Sequence, residues 1–290
     1  MRVIIFGGAG YIGSEFCRQM YSRGIDYIKV PSRGWTSVGE LRYIVKNWSP
    51  NVIINSAAYV GENSIKDCEQ NKDQTIVSNV VFVKTLIDIC TDNNIILGHM
   101  SSGCVYNGYI DGGYKETDVP NLSFKNNNCS FYTGTKVLAE DLLKTIQNKY
   151  VWRIRLPFDE VNNRRNYLTK ILSYDKLVSA PNSLSHRTEL VTACIDSFMN
   201  EVPYGVYNVT NPGWIDSYNI VLQMKKHMRL GDWMPHKTFN FFSSVDEFNA
   251  LDSMPRSNTI LNTEKLSLVG IKMRDVNQSI EETLKQWRWS

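Results

Sequence analysis

Tyr132 and Lys136 stand four apart in the run Ser130-Phe131-Tyr132-Thr133-Gly134-Thr135-Lys136. On a helix, positions i and i+4 share a face, which predicts the lysine ammonium beside the phenol. A neighbouring cation favours phenolate and is expected to lower the tyrosine pKa, so that the phenol exchanges a proton with a substrate oxygen near neutral pH. Tyr-x-x-x-Lys is common by chance, and an ordinary exposed helix pair would read the same way. Ser102 gives the pair weight, because it ends an apolar segment in Ser101-Ser102-Gly103-Cys104-Val105-Tyr106. A hydroxyl at the carboxyl edge of a parallel sheet lies where open α/β sheets bind ligands, and it can donate to a carbonyl oxygen that gains charge on reduction.

Reduction needs a dinucleotide, and the first residues offer a place for one. Gly7-Gly8-Ala9-Gly10-Tyr11-Ile12-Gly13 follows the apolar run Arg2–Phe6 directly and opens a helical pattern. Glycines at this spacing allow a tight turn, backbone close to a pyrophosphate, and an anion on the helix N-terminus. Gly7, Gly10, Tyr11, Ile12 and Gly13 are therefore expected cofactor contacts, together with Tyr132 and Lys136. The choice of cofactor is read about 20 residues further on, where NAD sites carry an acid. Here the run is Val30-Pro31-Ser32-Arg33, with no carboxylate until Glu40. Arg33 can pair with a 2′-phosphate and Ser32 can donate to it, which predicts NADPH with NADH as the alternative. Taken alone, Arg33 would equally be a solvated loop arginine. Ala57 and Ala58, small residues after the third apolar run, are expected on the cofactor side, and Val60 beside the substrate.

The elements that must position these groups alternate in the manner of βαβ units. Strands are expected at Arg2–Phe6, Tyr27–Val30, Asn51–Asn55, Ile95–Ser101, Val151–Arg155 and Gly205–Val209. Helices are expected from about Tyr11 to Arg23, Val38 to Trp48, Gln74 to Cys90, Phe131 to Gln147, Asn166 to Tyr174, Val191 to Met199, Ser217 to His227 and Ser279 to Trp287. The fold class is α/β: a doubly wound, Rossmann-type parallel sheet with a smaller C-terminal substrate-binding lobe. Residues 1–157 are read as the dinucleotide domain. Residues 158–290 are read mainly as the lobe, with some segments returning to the sheet.

A net charge of +3 without a basic run excludes a phosphate-tracking stripe for nucleic acid. The six cysteines show no metal-ligand spacing, and no apolar run approaches the ~20 residues that span a bilayer. Free thiols and a cytoplasmic location are the expectation. His99 reads as structural, and Trp214, Trp233, Trp287 and Trp289 as packing residues.

Several stretches together resemble the extended short-chain dehydrogenases/reductases, and within them the sugar-nucleotide reductases. They are Asn55–Ala58, Ser102–Tyr106, Ser130–Lys136, Arg153–Pro157, Asn162–Lys170 and Tyr207–Gly213. Within that group the chain resembles the C-terminal half of the plant UDP-rhamnose synthases, bifunctional 3,5-epimerase/4-reductases related to the dTDP-4-dehydrorhamnose reductases. That resemblance implies that UDP-4-keto-6-deoxy-D-glucose is epimerised at C3 and C5 and then reduced at C4, giving UDP-β-L-rhamnose. It also implies an upstream 4,6-dehydratase that supplies the substrate, and a homodimer formed through the Tyr-x-x-x-Lys helix.

The resemblance assigns proton transfer at C3 and C5 to Cys104 and Lys170. Both carbons lie α to the ketone, so their protons become removable once the carbonyl is polarised. On an extended segment Cys104 would point to the same side as Ser102, and partial burial of Lys170 would lower its pKa. By residue pattern alone, Cys104 reads as a small buried hydrophobe and Lys170 as a solvated lysine. Asn163, Asn166 and Arg256 are the expected substrate contacts, and Arg165 is a further candidate. The plant segment carries Pro where this chain has Arg164. Two other readings stand beside this one: a 4-reductase without epimerase activity, and a non-catalytic nucleotide-binding regulatory subunit.

Overall fold

The computed structural model describes residues 1–30, 37–62, 64–228, 230, 234, 236–251 and 256–289. Six strands form one sheet: β1 (Arg2–Phe6), β2 (Asp26–Val30), β3 (Val52–Asn55), β4 (Ile96–Ser102), β5 (Lys149–Ile154) and β6 (Gly205–Asn208). Every neighbouring pair is parallel, in the order β2-β1-β3-β4-β5-β6. A parallel sheet is covered on both faces, which is why its strands read as apolar runs rather than alternating ones. Val3, Ile5, Val52 and Ile54 face one layer, formed by helix α1 (Tyr11–Ser22) and part of a later helix, Arg187–Met199. Ile4, Phe6, Ile53 and Leu97 face the other layer. Its helices are α2 (Val38–Trp48), α3 (Lys72–Asn93) and α4 (Phe131–Leu143).

The chain lays β2 on one side of β1 and then crosses to lay β3 on the other. The carboxyl ends of β1 and β3 therefore open a crevice at the point where the winding reverses, and ligands bind in such crevices. The glycine turn lies at one wall of it.

Helix α3 is longer than expected. It runs as Lys72–Ile76, a π-helical turn Val77–Val81, and Phe82–Asn93. By length and composition alone this 22-residue helix is apolar enough to cross a membrane, which corrects the expectation that no segment approaches that length. Here its Phe82, Val83, Leu86 and Ile89 are spent on the core of the second layer. The π turn shifts register locally and carries Asn79 inward, where it is 1% exposed.

Beyond β5 the chain both leaves the sheet and returns to it. Helices α5 (Tyr167–Ser173), α6 (Arg187–Met199), α7 (Ser217–His227) and α8 (Val276–Lys285) follow in order. α6 and β6 belong to the sheet, whereas α5, α7 and α8 bury Leu168, Ile171, Ile220, Ile280 and Leu284 in a core of their own. Trp287 and Trp289 pack against that second core. Trp214 does not meet the packing expectation, because it is 48% exposed in the loop before α7. Trp233 lies outside the described residues. All six cysteines are free thiols.

Candidate active site

The dinucleotide wall is built from backbone. Gly7 has φ +76°, and a Cβ there would sit 2.6 Å from the Ala57 amide nitrogen. A Cβ on Gly13 would sit 2.1 Å from the Gly7 carbonyl oxygen. Only glycine lets the β1–α1 turn press against the segment that leaves β3. Helix α1 begins after Gly10 with no side-chain cap and no acid in its first turn, and Gly10 is exposed. Its first-turn amides are thus open to an anion, and this wall fits the pyrophosphate of a dinucleotide. Ile12 is half-buried against the core. The Tyr11 ring lies beneath the Arg187 guanidinium at 4.7 Å. Ala57 donates its N–H to Asn55 Oδ1 at 3.1 Å, and Ala58 and Val60 are half-buried in the segment that follows. Ser32 and Arg33 lie outside the described residues.

Ser102 ends β4, and Tyr132 and Lys136 stand on the first two turns of α4. That helix is started by Ser130, whose hydroxyl accepts from the Thr133 N–H at 3.2 Å. Glu69 Oε1 accepts from the Phe131 N–H at 2.6 Å, placing a carboxylate at the helix's positive end. Lys136 is 2% exposed and donates through Nζ to the Met100 carbonyl at 2.9 Å. Burial brings its pKa down to about 8, partly opposed by its coupling to Cys104 and Glu140.

The expected lowering of the Tyr132 pKa is not found. Burial pushes the phenol well above its ordinary value, Cys104 and Cys68 add to the rise, and the Ser102 hydroxyl and Arg165 only partly oppose it. The physical reason is that desolvation outweighs any nearby cation, while the lysine ammonium is turned toward the β4 backbone. The influence of the Ser102 hydroxyl on Tyr132 nevertheless puts the two side chains together, as a shared carbonyl site requires.

The segment after Ser102 is also not extended. Gly103–Val105 forms a 3-10 turn, so strand alternation does not place Cys104. Instead the turn folds back: the Cys104 N–H donates to Ser102 Oγ at 3.2 Å, and the sulfur accepts from Thr133 Oγ1 at 3.5 Å. Cys104 is 9% exposed and lies within electrostatic reach of Tyr132, Lys136 and Arg155.

Lys170 lies on α5, with its pKa lowered by burial and by Arg165. Its ammonium makes no hydrogen bond among the described residues. Arg165 acts electrostatically on both Tyr132 and Lys170, and it donates to the Gly61 carbonyl at 2.6 Å. It thereby ties the loop carrying Val60 to the start of α5, and Arg164 adds a bond to the Glu62 carbonyl at 3.1 Å.

Asn163 is exposed, and its Oδ1 accepts from the Arg165 N–H at 2.9 Å. Asn166 departs from its expected role as a substrate contact. It is 0% exposed, caps α5 through the Leu168 N–H at 2.9 Å, and donates to Asp159 and Val161. Its bonding capacity is used within the protein, and it positions Lys170 rather than touching a ligand. Arg256 lies over the Phe248 ring at 5.1 Å and near Tyr174, at the far end of α5.

Further residues shape the site without having stood out in the sequence. Asn79 accepts from the Tyr59 N–H at 2.8 Å and donates to its carbonyl at 3.0 Å, and it also donates to Thr135 Oγ1 at 3.2 Å. It joins the Val60 loop to α4. Asp159 accepts from Arg187 at 2.6 Å, and Arg187 also donates to Ser14 Oγ at 2.9 Å, linking α1 to the loop before α5. Glu140 takes Arg153 and the Ser101 hydroxyl, and Arg153 donates to the Tyr106 hydroxyl at 2.7 Å. An arginine, Arg153, inside a largely apolar strand, and an acid on the buried side of α4, are the sequence signals for the last network. His99 is buried against Asn55 at 3.1 Å.

Comparisons with known proteins agree with this architecture. The RmlD substrate binding domain family matches residues 1–288. A bifunctional dTDP-4-dehydrorhamnose 3,5-epimerase/dTDP-4-dehydrorhamnose reductase of Arabidopsis thaliana is 31% identical over 288 residues, covering 96% of this chain and 90% of that protein. A trifunctional UDP-glucose 4,6-dehydratase/UDP-4-keto-6-deoxy-D-glucose 3,5-epimerase/UDP-4-keto-L-rhamnose-reductase of the same plant is 30% identical, and this chain spans 41% of its length. Among solved structures, the L780 UDP-rhamnose synthase from Acanthamoeba polyphaga mimivirus superposes with a TM-score of 0.87 at 25% identity, covering 99% of both chains. The fold is shared with a dTDP-4-dehydrorhamnose reductase from Bacillus anthracis in complex with NADP, at a TM-score of 0.77 and 18% identity. A match over nearly the whole length, on a sheet and crevice of the right kind, makes this chain a member of the RmlD substrate binding domain family within the extended short-chain dehydrogenases/reductases.

Proposed function

We propose that the chain is an NADPH-dependent sugar-nucleotide 3,5-epimerase/4-reductase that turns UDP-4-keto-6-deoxy-D-glucose into UDP-β-L-rhamnose. The observation that carries this reading is the turn at Cys104, whose backbone N–H is held by Ser102 Oγ and whose sulfur accepts from Thr133 Oγ1, within electrostatic reach of the Tyr132 phenol. A 4-reductase needs no acid–base group there, whereas an epimerase needs one next to the polarised carbonyl. The plant relatives, named as 3,5-epimerases and reductases, and the viral relative, named as a UDP-rhamnose synthase, support the same reading.

A bound reduced nicotinamide supplies the hydride for C4. The chain's own residues do the rest. Ser102 donates to the ketone oxygen, which makes the protons at C3 and C5 acidic and stabilises negative charge on that oxygen. Cys104 and Lys170 move protons at the two carbons. For Lys170, the lowered pKa makes the neutral, proton-accepting form accessible. Tyr132 remains protonated because burial raises its pKa, so it enters the reduction as the acid that delivers a proton to the C4 oxygen. Arg165, Asn163, Val60 and Arg256 are proposed to border the sugar nucleotide, with Ser32 and Arg33 selecting NADPH. A 4,6-dehydratase reaction must supply the keto sugar.

The test is to incubate the protein with UDP-4-keto-6-deoxy-D-glucose and NADPH in D₂O and identify the product by NMR. Deuterium at C3 and C5 of a rhamnose product is expected. Reduction without deuterium at either carbon would reduce the assignment to a 4-reductase. That second reading is favoured by a dTDP-4-dehydrorhamnose reductase of Aggregatibacter actinomycetemcomitans, 24% identical over 240 residues. No NADPH consumption with any keto sugar would leave the non-catalytic reading.

A further inference from the structure

We infer that Thr133 is the positioning residue for the Cys104 thiol, and that the cap of the catalytic helix sets its direction. This rests on the reading in which Cys104 moves a proton at the sugar.

The Thr133 N–H donates to Ser130 Oγ at 3.2 Å, as a helix cap requires. With that lone pair engaged, the Ser130 hydroxyl donates to Thr133 Oγ1 at 3.0 Å. The Thr133 hydroxyl must then send its own hydrogen elsewhere, and its acceptor is the Cys104 sulfur at 3.5 Å. Thr133 is 4% exposed, so water does not compete for that bond. The neighbouring Thr135 hydroxyl shows the ordinary alternative, because it bonds back to the carbonyl of its own helix at Tyr132. Thr133 forgoes this and points out of the helix.

From the other side, the Cys104 N–H is held by Ser102 Oγ. The thiol is therefore pinned at both its backbone and its sulfur. A donor on the sulfur leaves the S–H hydrogen to point away from Thr133, and it supplies a partner when the sulfur gives that proton up. Thr133 itself touches no reacting atom. It holds the sulfur in one rotamer beside the carbonyl site, and a small misplacement of an acid–base group is costly in rate.

Four proteins decide the matter: the wild type, Thr133→Val, Thr133→Ser and Cys104→Ala. Each is assayed for solvent deuterium at C3 and C5 with UDP-4-keto-6-deoxy-D-glucose, and for reduction of a pre-epimerised keto sugar with NADPH. Valine keeps the shape of threonine and removes the donor. We expect Thr133→Val to lose exchange roughly tenfold while reduction falls much less, and Thr133→Ser to return exchange to within about twofold of the wild type. Thr133→Val exchanging like the wild type while Cys104→Ala does not would overturn the inference. So would a parallel loss of exchange and reduction that serine fails to restore, since that marks a packing role. A wild type that never exchanges would sink the epimerase reading itself and this inference with it, an outcome distinct from the other two.

Discussion

Two lysines face the candidate site, and they are held in different ways. Lys136 is on the inner face of a long helix, 2% exposed, with its ammonium tied to a strand carbonyl at 2.9 Å. Lys170 is on a seven-residue helix, less deeply buried, and its ammonium has no hydrogen bond among the described residues. Burial lowers the pKa of both. The first lysine takes its position from regular secondary structure. The second takes it from a web of side chains: Asn166 capping α5, Asp159 and Arg187 tying that cap to α1, and Arg165 tying the same loop to Gly61. A group that serves one fixed proton path can be locked to a strand. One that must reach a carbon of a sugar needs a free ammonium and a scaffold that is stiff elsewhere.

The largest expected effect separates the two lysines directly. Lys136→Met should lower reduction roughly a thousandfold, read as NADPH consumption, with a smaller loss of solvent exchange. Lys170→Met should do the reverse, lowering deuterium incorporation at one of the two carbons about a hundredfold, with the product resolved by NMR. Equal losses of both activities in both variants would erase the distinction.

A smaller effect probes the scaffold. Asp159→Asn removes the partner of a largely buried arginine and should cost about 2 kcal/mol in denaturant unfolding. It should lower exchange more than reduction, because it loosens α5 and leaves α4 in place.

The smallest effect is a pH slope. The pKa of Lys136 is about 8 in the folded chain, below its ordinary value of 10.5. Between those two values the unfolded chain binds more protons, so stability should rise with pH across that window. Below about 8 the cost of burying the charge is fully present. Relative to Lys136→Met, the wild type should therefore gain stability as pH rises above about 8 in chemical denaturation. A flat difference would mean that the ammonium is better solvated than its burial implies.

Much of the frame was legible along the chain. The expected helices Val38–Trp48 and Ser217–His227 match the observed bounds, and the six strands of the main sheet stand within a residue or two of expectation. Ser102, Tyr132 and Lys136 were legible too, because a strand end and an i, i+4 pair are local patterns. The long helix extends past the expected Gln74–Cys90 at both ends, because its terminal residues Lys72, Asp73 and Thr91–Asn93 are polar and carry no apolar period.

By itself, then, the sequence determined the alternation of strands and helices, the glycine turn, and the placement of Ser102 at a strand end and of Tyr132 and Lys136 one turn apart on a helix. Each depends on neighbours a few residues apart, and periodicity records them. Tertiary structure alone decided that the Tyr132 pKa goes up, that Asn166 is a cap, and that Thr133 points at Cys104 across 29 residues of chain. Desolvation and long-range hydrogen bonds depend on everything packed around a group, and no local spacing in the chain encodes that sum.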